Sequence, residues 1–159
     1  MQHTVRLLTA VVFVALLALG AVLVNVSTAH AATKLKAVID KSEHQMYVYA
    51  GDGKLLYNWP ASTGGGYTPT GTWHVTGFAA GMHKSSKYKT KMYWTVYYEP
   101  ADGTARRAVH GISDAANVAA LGKSNAGMGC PHLSVDNSKI FYDLAAQYKH
   151  SEVVIVIQP

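Results

Sequence analysis

Short runs of β-branched and aromatic residues, each cut off by a turn signal, decide what this chain can become. Leu35–Asp40 reads as a strand, and Gln45–Ala50 as a second, with Met46, Val48 and Ala50 on one face and Tyr47 and Tyr49 on the other. Gly51-Asp52-Gly53 is a turn signal before a third run at residues 54–61. Residues 72–78 form a fourth, with Trp73 and Val75 sharing a face. Residues 93–98 and 106–110 are two more, joined through Pro100-Ala101-Asp102-Gly103. Residues 153–157 are almost unbroken β-branched sequence, the mark of a strand buried on both faces. One helix stands out, after residue 134. Ser134 or Asp136 can cap it, and Ile140, Phe141, Leu144, Ala145 and Tyr148 fall on one face. Many strands with a single helix imply a mainly β domain, built as two packed sheets or one partly rolled sheet. Two stretches are expected to stay irregular. Gly64-Gly65-Gly66 has no Lys-Ser/Thr at phosphate-loop spacing, so it reads as a plain loop. Residues 81–91 are polar and carry Lys84, Lys87, Lys89 and Lys91. They read as a mobile loop over one end of the sheet, either a solvated connection or a lid.

The first residues follow a different logic. A short basic start, Met1 to Arg6, precedes an apolar run from Leu7 to Val24, and Ala29-His30-Ala31 fits a small-residue cleavage site. The expectation is an export signal over residues 1–31, cleaved after Ala31. The apolar run is long for a signal, so an uncleaved N-terminal membrane anchor is the alternative. Residues 32–159 then make one domain with a core of its own. Export makes nucleic acid an unsuitable partner. The net charge of +5 suits acidic wall polymers or anionic headgroups, or simply keeps the protein soluble.

The segment from Val109 to Leu133 carries the chemistry. It contains Val109-His110-Gly111, a loop, and then Gly127-Met128-Gly129-Cys130-Pro131-His132. Cys130 is the one cysteine, so an exported chain has no internal disulfide to make with it. A nearby imidazole can take the proton of a thiol, and His110 follows a strand-like run. The Gly-rich turn can aim the backbone N–H groups of Met128, Gly129 and Cys130 at a bound carbonyl. The competing reading is a buried structural cysteine beside a loop histidine. Cys130-x-His132 with His110 is also a thin zinc pattern, but no second Cys or Glu stands at a familiar spacing. No metal and no cofactor are expected.

His-Gly, a loop, and then Gly-Cys resembles the catalytic segment of bacterial L,D-transpeptidases, the YkuD-like domain. The likeness extends upstream. Residues 39–49 resemble that family's opening hairpin. Ser62-Thr63-Gly64 with Thr68-Pro69-Thr70-Gly71-Thr72 is similar to its STG…TPTGT stretch, and Met92-Tyr93-Trp94 to the segment walling its active site. Together these cover residues 35–157. Four positions depart. Gly127 and Met128 stand where the family has Ser/Thr-His, and Pro131 and His132 where it has an aliphatic residue followed by Arg or Asn.

The resemblance implies a β-sandwich-like catalytic domain in which Cys130 is the nucleophile and His110 the base. It implies that the Gly111 carbonyl orients His110, and that Tyr93, Trp94 and His132 contact the donor. Asp114 is an alternative orienter. The implied donor is a peptidoglycan stem tetrapeptide, held as a thioester and passed to the amine of another stem as a cross-link. Water as acceptor would give an L,D-carboxypeptidase, and loss of activity a wall-binding module. If His132 grips a donor carboxylate with an ordinary pKa of about 6.5, donor binding weakens as pH rises through neutrality.

Overall fold

The computed structural model describes residues 33–85, 88–98 and 107–159. The expected signal segment, Lys87 and the 100–103 turn lie outside the described residues. The described residues contain eight strands: β1 (Leu35–Asp40), β2 (Gln45–Ala50), β3 (Leu55–Pro60), β4 (Gly71–Lys84), β5 (Lys91–Tyr98), β6 (Arg107–Ile112), β7 (His132–Ser134) and β8 (Val153–Gln158). They form one sheet in the order β3-β2-β1-β8-β4-β5-β6-β7. The β1–β8 and β6–β7 pairs are parallel and the others antiparallel. The β-branched run at the chain's end is explained by this order. β8 lies inside the sheet between β1 and β4, with Val153, Val154 and Ile155 buried in succession.

β4 makes the sheet bend. Its first residues, Gly71 to His74, pair with β8, and from Val75 onward it pairs with β5. Register shifts at Val75/Gly77 and Ala79/Met82 increase the local twist. The two halves therefore face one another, and Trp73 from one meets Tyr98 from the other with ring centroids 5.5 Å apart. The far edges also meet. Ser62, just past β3, bridges His132 of β7, with N–H···O distances of 3.1 and 2.7 Å. The result is a mainly β, sandwich-like sheet rolled almost closed.

Helix α1 (Ala115–Ala120) and helix α2 (Val135–Ala145) complete the framework. Ser134 caps α2 by accepting the N–H of Asn137, and Asp136 lies in its first turn, where the helix dipole favours a negative charge. Phe141 and Ala145 drop from α2 into the core with Leu35, Met46, Val96 and Ile155. α2 can lie this close to β6 because of Gly111, where a Cβ would collide with Ser138 Oγ and sit 3.0 Å from the Cα of Val135. Phe141 is fully buried. Phe141→Ala should cost about 3–5 kcal/mol of unfolding free energy, measured by urea denaturation.

Three expectations are corrected. Residues 81–91 are only partly a loop: β4 runs on to Lys84 and β5 starts at Lys91, with His83 opposite Met92, so the connection narrows to residues 85–90. Antiparallel pairing satisfies the backbone of the paired part while Lys84, Lys89 and Lys91 stay in water, so polarity alone misleads. The Gly64–Gly66 region contains a short 3-10 turn at Gly65–Tyr67. Helix α1 lies in what reads as a plain loop. It is six residues long and buries only Ala120, so it has no amphipathic stripe; Asp114 at its N-cap was the available signal.

Candidate active site

The hairpin of β4 and β5, the end of β6 with α1, and the segment entering β7 enclose a cavity of about 580 Å³. Cys130, His110 and His132 line it together, with Met128 on one wall and Thr90, Lys91 and Met92 on another. The strand register brings the two histidines together. β6 and β7 run parallel with His110 opposite His132, so both rings fall on one face, 4.8 Å apart between centroids. Cys130 sits in the bend just ahead of β7, two residues before His132, and lines the same cavity. Pro131, between them, accepts the backbone N–H of His110 at 3.2 Å.

His110 is 4% exposed, and its Nδ1 lies 3.0 Å from the Gly111 carbonyl oxygen. A carbonyl can only accept, so Nδ1 carries the proton and Nε2 keeps its lone pair. The hydrogen-bond partner of the ring is Gly111. The Asp114 carboxylate is engaged elsewhere: it accepts from the N–H and side-chain amide of Asn117 at the start of α1. Burial, and then the neighbouring His132, lower the His110 pKa to about 3. Burial also pushes the Cys130 thiol up, against a backbone hydrogen bond from Ala108 and the charge of Arg107. Burial therefore favours the neutral thiol and the neutral imidazole in the resting site.

Burial lowers the His132 pKa to about 4 as well, with Asp114 pulling weakly the other way. That burial works against the expected pH dependence of donor binding. His132 is already neutral through the range where an exposed histidine would titrate. Both histidines also make folding acid-sensitive. The unfolded chain takes up their protons near pH 6.5, while the folded protein refuses them until much lower pH, so stability falls as pH falls through that window. The urea midpoint should drop between pH 6.5 and 4.5, and His132→Leu should shrink the drop.

The loop that delivers Cys130 is held by hydroxyls. Ser62 Oγ donates to the Ser124 carbonyl at 2.8 Å and accepts the Ala126 N–H at 3.2 Å. Thr63 Oγ1 donates to Asn125 Oδ1 at 2.7 Å, and the Thr63 carbonyl accepts the Gly127 N–H at 2.8 Å. Thr68 Oγ1 donates to the Gly129 carbonyl at 2.8 Å and accepts the Gly64 N–H at 2.8 Å. Gly129 has φ 129°, a backbone state that L side chains rarely adopt. Among the described residues no acceptor takes the backbone N–H of Met128, Gly129 or Cys130.

The expected wall residues are only partly brought to the site. Met92 lines the cavity, and the Tyr93 hydroxyl meets Ser113 Oγ at 3.2 Å on its margin. Trp94 is elsewhere: φ of 48° in a bulge turns its ring onto α2, against Tyr142 at 5.6 Å and beneath the Lys139 ammonium at 4.9 Å. Alternation along a strand fixes which of three neighbours reaches a pocket, and a bulge resets it. Tyr88, Thr90 and Asn117 line the cavity without having been singled out from the sequence. Among the described residues no group of three or more His, Cys, Asp or Glu side chains is arranged to hold a metal ion.

The chain matches the family model described as the L,D-transpeptidase catalytic domain over residues 35–156. Its fold is similar to that of an L,D-transpeptidase from Mycobacterium smegmatis, with TM-score 0.63 and 24% identity, covering 79% of this chain and 59% of that one. It is also similar to L,D-transpeptidase 3 from Mycobacterium tuberculosis carrying a faropenem-derived adduct, with TM-score 0.64 and 20% identity over 79% of this chain and 60% of that one. An L,D-transpeptidase from Xylanimonas cellulosilytica gives TM-score 0.63 and 21% identity over 80% and 61% of the two chains. The chain thus spans about three fifths of the length of these solved structures. No curated protein matches it. With the family model covering most of the sequence, the chain belongs to the L,D-transpeptidase catalytic domain family.

Proposed function

We propose that this protein is a cysteine L,D-transpeptidase acting on peptidoglycan stem peptides. One observation carries the reading: Cys130 and His110 share a cavity wall, and the Gly111 carbonyl holds the His110 tautomer that leaves Nε2 free to accept a proton. Cys130 adds to the amide carbonyl before the terminal residue of a donor stem as His110 takes the thiol proton. The backbone amides of Met128, Gly129 and Cys130 receive the oxyanion. The C–N bond breaks, His110 returns the proton to the leaving amine, and a thioester remains. The amine of a second stem then attacks the thioester and forms the cross-link.

Residues 1–31 act as the export signal that brings residues 32–159 to the wall, and N-terminal sequencing of the secreted protein should begin at Ala32. The net charge of +5 favours anionic wall polymers as surroundings. Incubation of the enzyme with a tetrapeptide donor and an amine acceptor, analysed by mass spectrometry, tests the reaction. A cross-linked dimer supports transpeptidation. A shortened stem with no dimer supports water as acceptor. Retention on purified peptidoglycan with neither product supports a binding module.

A further inference from the structure

Two departures from the family's sequence pattern, Gly127 and His132, meet in space. A Cβ at Gly127 would lie 2.8 Å from Cε1 and 3.2 Å from Nδ1 of His132. The ring has its place because residue 127 has no side chain. His132 is 8% exposed, and its Nδ1 is sealed from solvent with no hydrogen-bond partner, while the residue lines the cavity beside Cys130 and His110. A buried N–H without an acceptor is the rarer and costlier orphan; a bare lone pair is tolerated better. The ring proton of His132 therefore sits on Nε2. His110 has the opposite tautomer, with its proton on Nδ1 and donated to Gly111. One imidazole offers a lone pair, and its neighbour at 4.8 Å offers an N–H.

We propose that His132 is a second catalytic residue, an uncharged donor whose Nε2–H binds the scissile carbonyl oxygen and the oxyanion that forms on it. The proposal rests on the reading of Cys130 as nucleophile. When sulfur bonds to the carbonyl carbon, the thiol proton goes to His110 Nε2 and the carbonyl π pair moves onto oxygen. His132 holds that oxygen by a hydrogen bond and transfers no proton. The pair returns as the C–N bond breaks, and His110 protonates the departing nitrogen. A side-chain donor at position 132 joins the backbone amides of Met128, Gly129 and Cys130, where the family's Ser/Thr-His pair is missing.

The test compares two reactions of Cys130 in the intact protein. Acylation by a carbapenem or a tetrapeptide stem passes through an oxyanion; alkylation by iodoacetamide does not. His132→Leu should slow single-turnover acylation roughly 10²–10³-fold, the usual loss for one such donor, and leave alkylation within a few-fold. His132→Gln, whose amide N–H reaches a similar point, should recover part of the loss. Gly127→Ala should behave like His132→Leu, because its Cβ displaces the ring. Wild-type acylation rates in His132→Leu overturn the proposal. So does a parallel loss of acylation and alkylation, which would mean that the ring only supports the loop around Cys130. A wild-type protein that alkylates but is acylated by neither reagent removes the transpeptidase reading as well as this one.

Discussion

Cys130→Ala should abolish covalent capture of donor stems and β-lactams and lower turnover by on the order of 10⁶, the scale seen when a catalytic nucleophile is deleted elsewhere. Cys130 is the single thiol, so no neighbour can take its place. Cys130→Ser should fare little better. A hydroxyl ionises far less readily than a thiol, and His110, with a pKa lowered to about 3, is a weak base for it. The resting state also predicts a chemical signature. Burial raises the Cys130 pKa and keeps His110 neutral, so alkylation should accelerate steadily as pH rises above neutrality. An alkylation rate that is already at its plateau at pH 6 would mean a preformed thiolate–imidazolium pair and would contradict the neutral pair that burial favours.

His110→Ala should slow acylation by roughly 10²–10⁴, the worth of a positioned acid–base group. The loss belongs in kcat, because the imidazole acts on protons that move in the transition state. Removing the ring also removes the partner that His132 packs on, so the folded state needs a separate check by thermal melting. A variant that melts like wild type yet acylates at the wild-type rate would transfer the role of base to His132.

The parts of the fold read easily from the sequence are those with period-2 burial. Leu35, Ala37 and Ile39 alternate inward on β1, and Met46 and Val48 on β2, because each strand has one wet face. The unbroken run in β8 reads equally well because both its faces are covered. Closure of the sheet was not legible. It depends on the bridge from Ser62 to His132, two residues far apart in sequence that belong to no hydrophobic pattern. The hydroxyl ties from Ser62, Thr63 and Thr68 to the 124–129 loop are of the same kind: small polar residues whose partners only the fold supplies. At the site, Cys130 and His110 stood out by residue type and spacing. The charge state of His132 did not, since it follows from burial, and the orientation of Trp94 follows from one bulge. Gly127 was visible only as a departure from a pattern, and its meaning depends on where the His132 ring lies.

The central claim is that Cys130 carries the acyl group of a stem peptide. Intact-mass spectrometry of the folded wild-type protein, quenched during reaction with a tetrapeptide donor, tests it most directly. The expected result is a mass increase equal to the donor less its terminal amino acid, located on the peptide containing Cys130 and absent from Cys130→Ala. An unmodified wild-type mass under turnover, or an adduct on any other residue, would contradict it.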